Sequence, residues 1–317
     1  MPEIPLYADL PTIDGERHAW GVFGPDDEFG CLNFLNPAAV SNAARLVETG
    51  KVISLDVPLG EPQPQFWAMR PPLQHRVRVH RHGRDDHLDE FNLQGSSQWD
   101  GLRHVRFRQH GYYGGRSEEQ LDSTGVLGIE RWAERGIFGR GILVDVAGFA
   151  ADAGEPLDPT KTRSVDHALI AQVLASTGVK TRPGDILLVR TGWLAWYSGL
   201  TMERRQAIVA DYERDRASFH IPGIDATEPS VAWFWNNRIA GIATDTPTFE
   251  VLPYDPKRGW AHHRLLALLG MPLGELWALE ELARHCRQTG RYDFFLSSAP
   301  LKLPSGVATP ANAYALF

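Results

Sequence analysis

Three apolar runs in the middle of the chain constrain its fold more than any other feature. Residues 141–146, 186–190 and 239–243 are short and rich in Val, Ile, Leu and Ala. Unbroken apolar runs of this length predict strands that are buried on both faces. Helical patterns at 165–177 and 202–219 lie between them, as in proteins whose sheets are covered by helices. The chain is therefore predicted to be an α/β protein.

The flanking regions predict further elements and a simple domain organisation. Helices are predicted from Asn36 to a stop at Gly50, at 227–235, at 260–269 and at 273–285, and strands at 52–59, 76–80 and 294–296. Residues 1–35 are rich in Pro, Gly and Asp, which predicts an irregular N-terminal extension packed on the body. Residues 36–317 are predicted to form a single catalytic domain.

Bulk composition excludes several classes of partner. The net charge of −7 argues against nucleic acid or an anionic membrane, since either needs a concentrated positive face. The two cysteines form no Cys-x-x-Cys pair, and no apolar run approaches the roughly 20 residues that span a bilayer. We therefore expect a soluble, cytoplasmic protein that acts on a small molecule.

The segment 94–104 carries the first half of a candidate metal site. Asp100 and His104 stand four residues apart behind a Gly/Ser loop, and Gln94 and Gln98 offer amide oxygens on the same segment. A chain with 39 acidic residues and 12 histidines contains such pairs by chance. The pair becomes informative only together with the residues around it.

A second half lies far downstream, where His262 and His263 are followed by Glu275. Adjacent residues on a helix point about 100° apart, so at most one of the two histidines is expected to face a metal. The other is expected to donate a hydrogen bond to a ligand residue or to be exposed. Glu280 and Glu281 compete with Glu275 for the role of carboxylate ligand.

These motifs resemble the cyclase family of metal-dependent hydrolases, which includes bacterial kynurenine formamidase and isatin hydrolase. Its signature is His-x-Gly-Thr-His-x-Asp-x-x-x-His. Asp100 and His104 match the last two positions, Ser97 stands at the threonine, and Gln94 and Gln98 replace the leading histidines. Similar stretches recur at 27–33, 141–146, 183–190, 244–247 and 300–312.

The resemblance implies a cyclase-like swivelling β/β/α fold, with a mixed sheet and surrounding helices, that assembles as a homodimer or homotetramer. The family's downstream histidine and glutamate lie twelve residues apart, a spacing that favours His263 and Glu275. One divalent ion, Mn²⁺ or Zn²⁺, is then expected on Asp100, His263 and Glu275, with Gln94 and Gln98 assisting. Because amide oxygens are hard and neutral, they favour Mn²⁺ or Mg²⁺ over Zn²⁺.

The implied reaction is hydrolysis of an amide or lactone bond, typically cyclic, by metal-activated water. His104 is expected to act as the catalytic group that moves the proton. Aromatic side chains in neighbouring segments are expected to line an apolar or aromatic substrate pocket, although most tryptophans are core residues by default: Trp67, Trp99, Tyr112 and Tyr113.

Two other functions remain open at this level. The first is a metal-free binding protein on the same fold, with its metal chemistry lost together with the two histidines. The second is a hydrolase that works through His104 and Asp100 without a metal. The sequence has no Gly-x-Ser-x-Gly elbow, phosphate-binding loop, His-Glu-x-x-His motif or dinucleotide fingerprint, which argues against other common enzyme classes.

Overall fold

The computed structural model describes residues 4–67 and 69–317. Its strands are β1 (Thr12–Ile13), β2 (Glu16–Arg17), β3 (Val52–Ser54), β4 (Gln74–His80), β5 (Gly83–Asp89), β6 (Gln98–Asp100), β7 (Ile137–Asp145), β8 (Ser164–Val165), β9 (Ile186–Arg190), β10 (Gly223–Ile224), β11 (Gly241–Thr244), β12 (Leu273–Glu275), β13 (Asp293–Ser298), β14 (Ala308–Pro310) and β15 (Ala313–Leu316).

The α-helices are α1 (Pro37–Ala44), α2 (Glu118–Thr124), α3 (Ile129–Arg135), α4 (Val146–Asp152), α5 (His167–Thr177), α6 (Trp193–Ser198), α7 (Met202–Arg214), α8 (Glu228–Asn236) and α9 (Glu280–Thr289). A π-helix spans His262–Leu268, and short 3₁₀ turns complete the connections.

A mixed sheet organises the molecule. Within the described residues it has nine strands in the order β14-β6-β12-β11-β9-β7-β13-β15-β3. The strands β7, β9, β11 and β12 run parallel, and antiparallel strands extend the sheet on both sides. The prediction of an α/β fold with a mixed sheet and surrounding helices is confirmed.

The three apolar runs form the centre of this sheet. Ile142 pairs with Leu187, which pairs on its other side with Ile242, and all three are fully buried. Successive residues of β11, and of β9 up to Val189, are all buried, so both faces of the parallel part are covered. Burial on both faces therefore explains the unbroken apolar runs, as the sequence predicted.

Capping groups begin and end several helices, although α1 ends at Ala44 and not at the predicted stop, Gly50. The Asn36 side chain accepts a hydrogen bond from the Ala39 N–H, with Pro37 at the first helical position of α1. Asp166 caps α5 through Leu169 N–H, and Gly178, at φ 72°, ends that helix in the left-handed conformation.

Some predicted elements are wrong. The predicted helix 273–285 is a strand, β12, followed by a turn and helix α9, because residues 273–275 complete the sheet between β6 and β11. Residues 260–269 contain a π-helix in place of a regular α-helix. The strand predicted at 52–59 is limited to β3, and the helix predicted at 202–219 ends at Arg214, where Asp215 leaves the helical conformation.

The basic segment after Arg70 forms an exposed hairpin. Strand β4 pairs with β5 along its length, and the residues of β4 are exposed. Cross-strand ion pairs such as Arg76–Asp89, at 2.9 Å, offset the positive charge. The hairpin therefore presents paired charges to solvent and gives no concentrated positive face.

Residues 4–35 pack against the rest of the molecule. The Trp235 Nε1–H donates to Pro5 O and the Trp20 Nε1–H donates to Ala267 O, both at 2.9 Å. Phe23 contacts the rings of Phe34 and Trp235. In the part of the chain that the structure describes, no helix combines the length and apolarity needed to traverse a bilayer.

A buried arginine joins two strands and the residue that precedes a third. Arg140 on β7 donates from Nη1 to Asp185 at 3.1 Å and from Nε to Asp293 at 2.9 Å, and its side chain is 8% exposed. Burial raises the pKa of Asp185 to about 6, although Arg140 acts in the opposite direction. The guanidinium thus compensates for the cost of burying this carboxylate.

We expect Arg140→Leu to lower the free energy of unfolding by roughly 3 kcal/mol, because it leaves Asp185 buried without its partner. Urea denaturation checks this. The control is Arg214→Gln, which removes an exposed pair with Asp211 and should change stability by less than about 1 kcal/mol. Equal effects of the two substitutions would contradict a role for buried charge compensation.

Candidate functional site

The pairing of β6 with β12 builds the base of the candidate site. In the antiparallel register Gln98 lies opposite Glu275, and Asp100 lies opposite Leu273. Alternate residues of a strand point to the same face, so Gln98 and Asp100 share a face with Glu275 while Trp99 points to the other. Asp100 and Gln98 are fully buried, and Glu275 is nearly so.

Gln94 joins Asp100 to His104. Its Nε2 donates to Asp100 Oδ1 at 2.7 Å and lies 3.2 and 3.3 Å from the two ring nitrogens of His104. The Nε2 atom of His104 lies 3.9 Å from the same Asp100 oxygen. Gln94 therefore contacts both groups through its amide nitrogen, which makes it a positioning residue in this arrangement.

His262 approaches the other oxygen of Asp100. Its Nε2 lies 3.5 Å from Asp100 Oδ2 and 3.8 Å from Glu275 Oε1. On the far side of the ring, Nδ1 is paired with Glu250 Oε1, which also accepts the backbone N–H of His262 at 2.9 Å. A carboxylate that holds one ring nitrogen and leaves the other directed at a site is the usual support of a metal-binding histidine.

Glu275 is held by two donors. Its Oε2 accepts from Gln98 Nε2 at 2.7 Å, and its Oε1 accepts from the backbone N–H of Phe249 at 2.8 Å. Burial, with the nearby charge of Asp100, raises the pKa of Glu275 to about 8. The Gln98 donor thus stabilises a carboxylate that burial makes costly to ionise.

Charge compensation sets the ionisation of the remaining groups. Burial opposes the ionised form of Asp100, yet His104, His262 and Gln94 outweigh it and lower the pKa of Asp100 to about 2. Burial also opposes the protonated form of His262, but Glu250 and Asp100 raise its pKa well above the usual value. Burial lowers the pKa of His104, which favours its neutral, basic form.

Buried oxygens at the centre of this cluster lack hydrogen-bond partners. Among the described residues, Asp100 Oδ2 and Gln98 Oε1 accept no hydrogen bond. Asp100, His104 and His262 each offer a ligand atom, and these atoms lie within 4.8 Å of one another. Unpartnered oxygens beside a supported imidazole fit a divalent cation, which would satisfy groups that are otherwise costly to bury.

The structure places His262, and not His263, beside Asp100. The His263 ring lies 4.4 Å from Trp260 and 5.4 Å from Phe107, centroid to centroid. Burial lowers its pKa to about 4. The twelve-residue spacing favoured His263, whereas the structure brings the His262 ring to Asp100.

Three of the predicted pocket aromatics lie elsewhere. Trp99 is fully buried on the opposite face of β6, 4.8 Å from the Trp277 ring, and its Nε1–H donates to Ser298. The Tyr113 hydroxyl donates to Asp27, and the Tyr112 hydroxyl donates to Glu118. Trp99 points away from the site because successive residues of a strand face opposite sides. The hydroxyl hydrogen bonds of Tyr112 and Tyr113 hold those two rings away from the cluster.

A cavity of about 330 Å³ opens beside the cluster. Its floor includes His104, His262, Glu250 and Glu275. The remaining walls are mainly aromatic, apolar or basic: Trp67, Met69, Arg70, Val105, Tyr212, Arg216, Thr248, Leu252 and Trp260. Of the predicted pocket aromatics, Trp67 therefore lines the cavity next to the candidate site.

Neighbouring polar residues have structural partners. Ser97 Oγ donates to Leu276 O at 2.6 Å and accepts from Val57 N–H at 2.9 Å, so it fixes β6 against two other segments. Asp245, at the end of β11, accepts from Thr191 and Gly192 and fixes the start of α6. It lies outside the cluster, although the chain after it leads to Glu250.

The sequence did not single out Glu250 or Arg70. Arg70 donates from Nη1 to Gln94 O at 2.6 Å and so secures the loop that carries Gln94. Neither residue belongs to a recognisable motif, and each comes from a loop far from Asp100 in sequence. The histidine pair at 262–263 was the available signal for His262, but spacing could not decide between its members.

Comparisons with known proteins identify similar sequences and folds. A family model described as "Putative cyclase" matches residues 53–251. A solved structure described as a novel cyclase is 33% identical, with 95% of this chain and 99% of that chain covered and a TM-score of 0.80. A search of curated proteins gives no significant match.

More distant structures share the fold. Isatin hydrolase A from Labrenzia aggregata, bound to benzyl benzoate, is 18% identical over 90% of this chain and 98% of that chain, with a TM-score of 0.55. A predicted metal-dependent hydrolase from Bacillus stearothermophilus is 14% identical over 84% and 98%, with a TM-score of 0.51. At this identity the likeness extends to the fold alone.

The adjacent histidines provide a matched test of the metal site. We expect His262→Gln to weaken the binding of Mn²⁺ and Zn²⁺ by about 100-fold or more, because it removes the supported imidazole beside Asp100. His263→Gln should leave both affinities within about threefold of wild type, since its ring packs on Trp260 and Phe107. Calorimetric titration of metal-free protein measures both. The reverse pattern would restore His263 as the ligand.

Proposed function

The chain belongs to the cyclase family, and we propose that it is a metal-dependent hydrolase of an amide or lactone bond in a small, typically cyclic substrate. The observation that carries the proposal is the buried Asp100 Oδ2, which has no hydrogen-bond partner among the described residues and faces His262 Nε2. The adjoining cavity of about 330 Å³ suits a small molecule.

Asp100 and His262 are the proposed principal ligands of one divalent ion, with Gln98 and Glu275 completing its surroundings. The ion would displace the proton that the neighbouring carboxylates favour on His262. Support comes from the two sides of the Asp100 carboxylate. Oδ1 already accepts from Gln94, whereas Oδ2 lies on the side of His262. The unpartnered Gln98 Oε1 adds a neutral oxygen ligand, which favours Mn²⁺ over Zn²⁺.

When bound, the ion would polarise the substrate carbonyl and lower the pKa of a water molecule. His104 lies on the Oδ1 side of Asp100, lines the cavity and has a lowered pKa. We assign it the transfer of the proton from the attacking water to the leaving nitrogen or oxygen. Gln94 contacts both ring nitrogens and orients this histidine.

Glu250 and Arg70 act through other residues. Glu250 holds His262 Nδ1 and so keeps Nε2 directed towards Asp100. Arg70 holds the backbone of Gln94, and its positive charge also favours the ionised forms of Asp100 and Glu275. Apolar and aromatic side chains, among them Trp67, Leu252 and Trp260, line the cavity beside these groups.

A metal-independent hydrolase on this fold is the second candidate, and one observation favours it. Each glutamine that replaces a family histidine donates its amide N–H to a buried carboxylate, Gln94 to Asp100 and Gln98 to Glu275. These hydrogen bonds stabilise the buried carboxylates without a cation. Activity that survives complete metal removal would support this candidate, or a binding protein if no hydrolysis occurs at all.

The assembly and location remain predictions. Membership of the family supports a homodimer or homotetramer, and light scattering measures the assembly directly. A cytoplasmic location and the absence of nucleic-acid partners rest on composition and charge.

Chelation and Asp100→Asn test the main proposal. Hydrolysis of a panel of cyclic amides and lactones should stop after chelation and return with added Mn²⁺, and Asp100→Asn should lower turnover by about 10²-fold or more. The substitution keeps the side-chain size but removes the ligand charge. Undiminished hydrolysis in chelated protein, with metal content verified by elemental analysis, would contradict metal dependence.

His104→Gln separates proton transfer from metal binding. We expect the variant to retain its metal but to hydrolyse substrate roughly 10²- to 10⁴-fold more slowly, the usual effect of losing a positioned acid or base. Metal content and turnover are measured on the same preparation. Loss of the metal would identify His104 as a third ligand, and an unchanged rate would exclude it from catalysis.

A further inference from the structure

The cavity beside the proposed metal site carries an uneven distribution of charge. The carboxyl groups of Glu250 and Glu275 line it beside the His262 ring. Two arginines, Arg70 and Arg216, line the same cavity together with aromatic rings. A neutral apolar substrate would require no such cations, so their presence bears on the chemistry of the molecule that the cavity accepts.

Both guanidinium groups stack on one indole. The guanidinium carbon of Arg70 lies 5.6 Å from the centre of the Trp67 ring, and that of Arg216 lies 5.3 Å from it. Arg216 also lies 5.5 Å from the Tyr212 ring, which meets Trp67 edge-on at 5.3 Å. These contacts hold the Arg216 cation at the aromatic wall of the cavity.

The two arginines have different partners. Arg70 donates to Gln94 O, and its charge acts on Glu275 and Asp100, so it belongs to the support of the site. Arg216 lies 3.4 Å from Glu213 in a pair whose side chains are 56% and 28% exposed, and exposed pairs of this kind are weak. Its five donors leave capacity for a ligand.

Local structure fixes where Arg216 lies. Helix α7 ends at Arg214, and the Asp215 side chain accepts the backbone N–H of Ala217 at 3.1 Å. This turn presents Tyr212 and Arg216 to the same cavity. The segment therefore contributes both a ring for stacking and a cation for an acidic substituent.

We propose that Arg216, with Trp67 and Tyr212, forms a subsite for a negatively charged substituent on an aromatic or planar substrate. That the bound molecule is a substrate rests on the proposed hydrolase function. The Arg216 guanidinium supplies a charge-assisted contact at the aromatic wall, so the subsite orients the molecule with its charged substituent at Arg216. The preferred substrates are then aromatic acids that also carry a hydrolysable amide or lactone.

The first experiment measures binding without catalysis or metal. Naphthalene-2-carboxylate and the uncharged naphthalene-2-carboxamide have nearly the same shape, and both are titrated calorimetrically into protein kept in chelator. Wild type should bind the carboxylate about tenfold more tightly, the effect of one partly exposed charge-assisted contact. Chelation removes the possibility that the carboxylate binds through a metal ion.

Arg216→Gln should reduce this preference to about twofold or less, while Arg214→Gln should preserve it. Arg214 is the matched control, because it lies two positions away, is paired with exposed Asp211 and does not line this cavity. Equal binding of the two ligands by wild type, binding of neither, or a preference that persists in Arg216→Gln would each overturn the subsite.

A second experiment connects the subsite with hydrolysis. Metal-loaded protein is assayed with phthalide and phthalide-5-carboxylate, which differ by one carboxylate. The acid should have a kcat/KM about tenfold higher, and Arg216→Gln should remove this advantage mainly through KM. Selective binding without hydrolysis of a broad panel would contradict the proposed function and leave the subsite intact. Hydrolysis without selective binding would contradict the subsite alone.

Discussion

The candidate site depends on the antiparallel pairing of β6 with β12. This pairing places Gln98 opposite Glu275, residues 177 positions apart in the chain, and joins them by a hydrogen bond of 2.7 Å. The two-residue period of a strand then puts Asp100 on the same face. A shift of one residue in this register would direct Asp100 into the core and Trp99 into the cavity.

Burial of several carboxylates on that face determines the rest of the chemistry. Each has a donor that offsets its desolvation: Gln94 for Asp100, Gln98 for Glu275, and His262 for Glu250. The glutamines supply neutral N–H groups at positions where the family signature has imidazoles. They hold the carboxylates in place, but they leave Asp100 Oδ2 and Gln98 Oε1 without partners among the described residues, and this is why a cation fits.

Sequence reasoning was most successful where a local pattern has one physical interpretation. The apolar runs became β7, β9 and β11, and the helices predicted after Asn36 and at 165–177 begin close to their predicted starts. It failed at 273–285, where three residues entered the sheet because β6 and β11 were available on either side. Strand pairing over long sequence distances leaves no periodic signal in so short a segment.

The sequence by itself determined the α/β class, the buried strands and the segment that carries Asp100 and His104, because these follow from local apolar patterns and a compact motif. Tertiary structure alone decided that His262 faces Asp100 while His263 packs on Trp260, since the spacing to Glu275 does not fix which side of this segment faces the sheet. The tertiary structure also decided that Glu250 holds His262 and that Arg70 holds the backbone of Gln94. Contacts between distant loops depend on how the whole chain packs, and no spacing within the sequence encodes them.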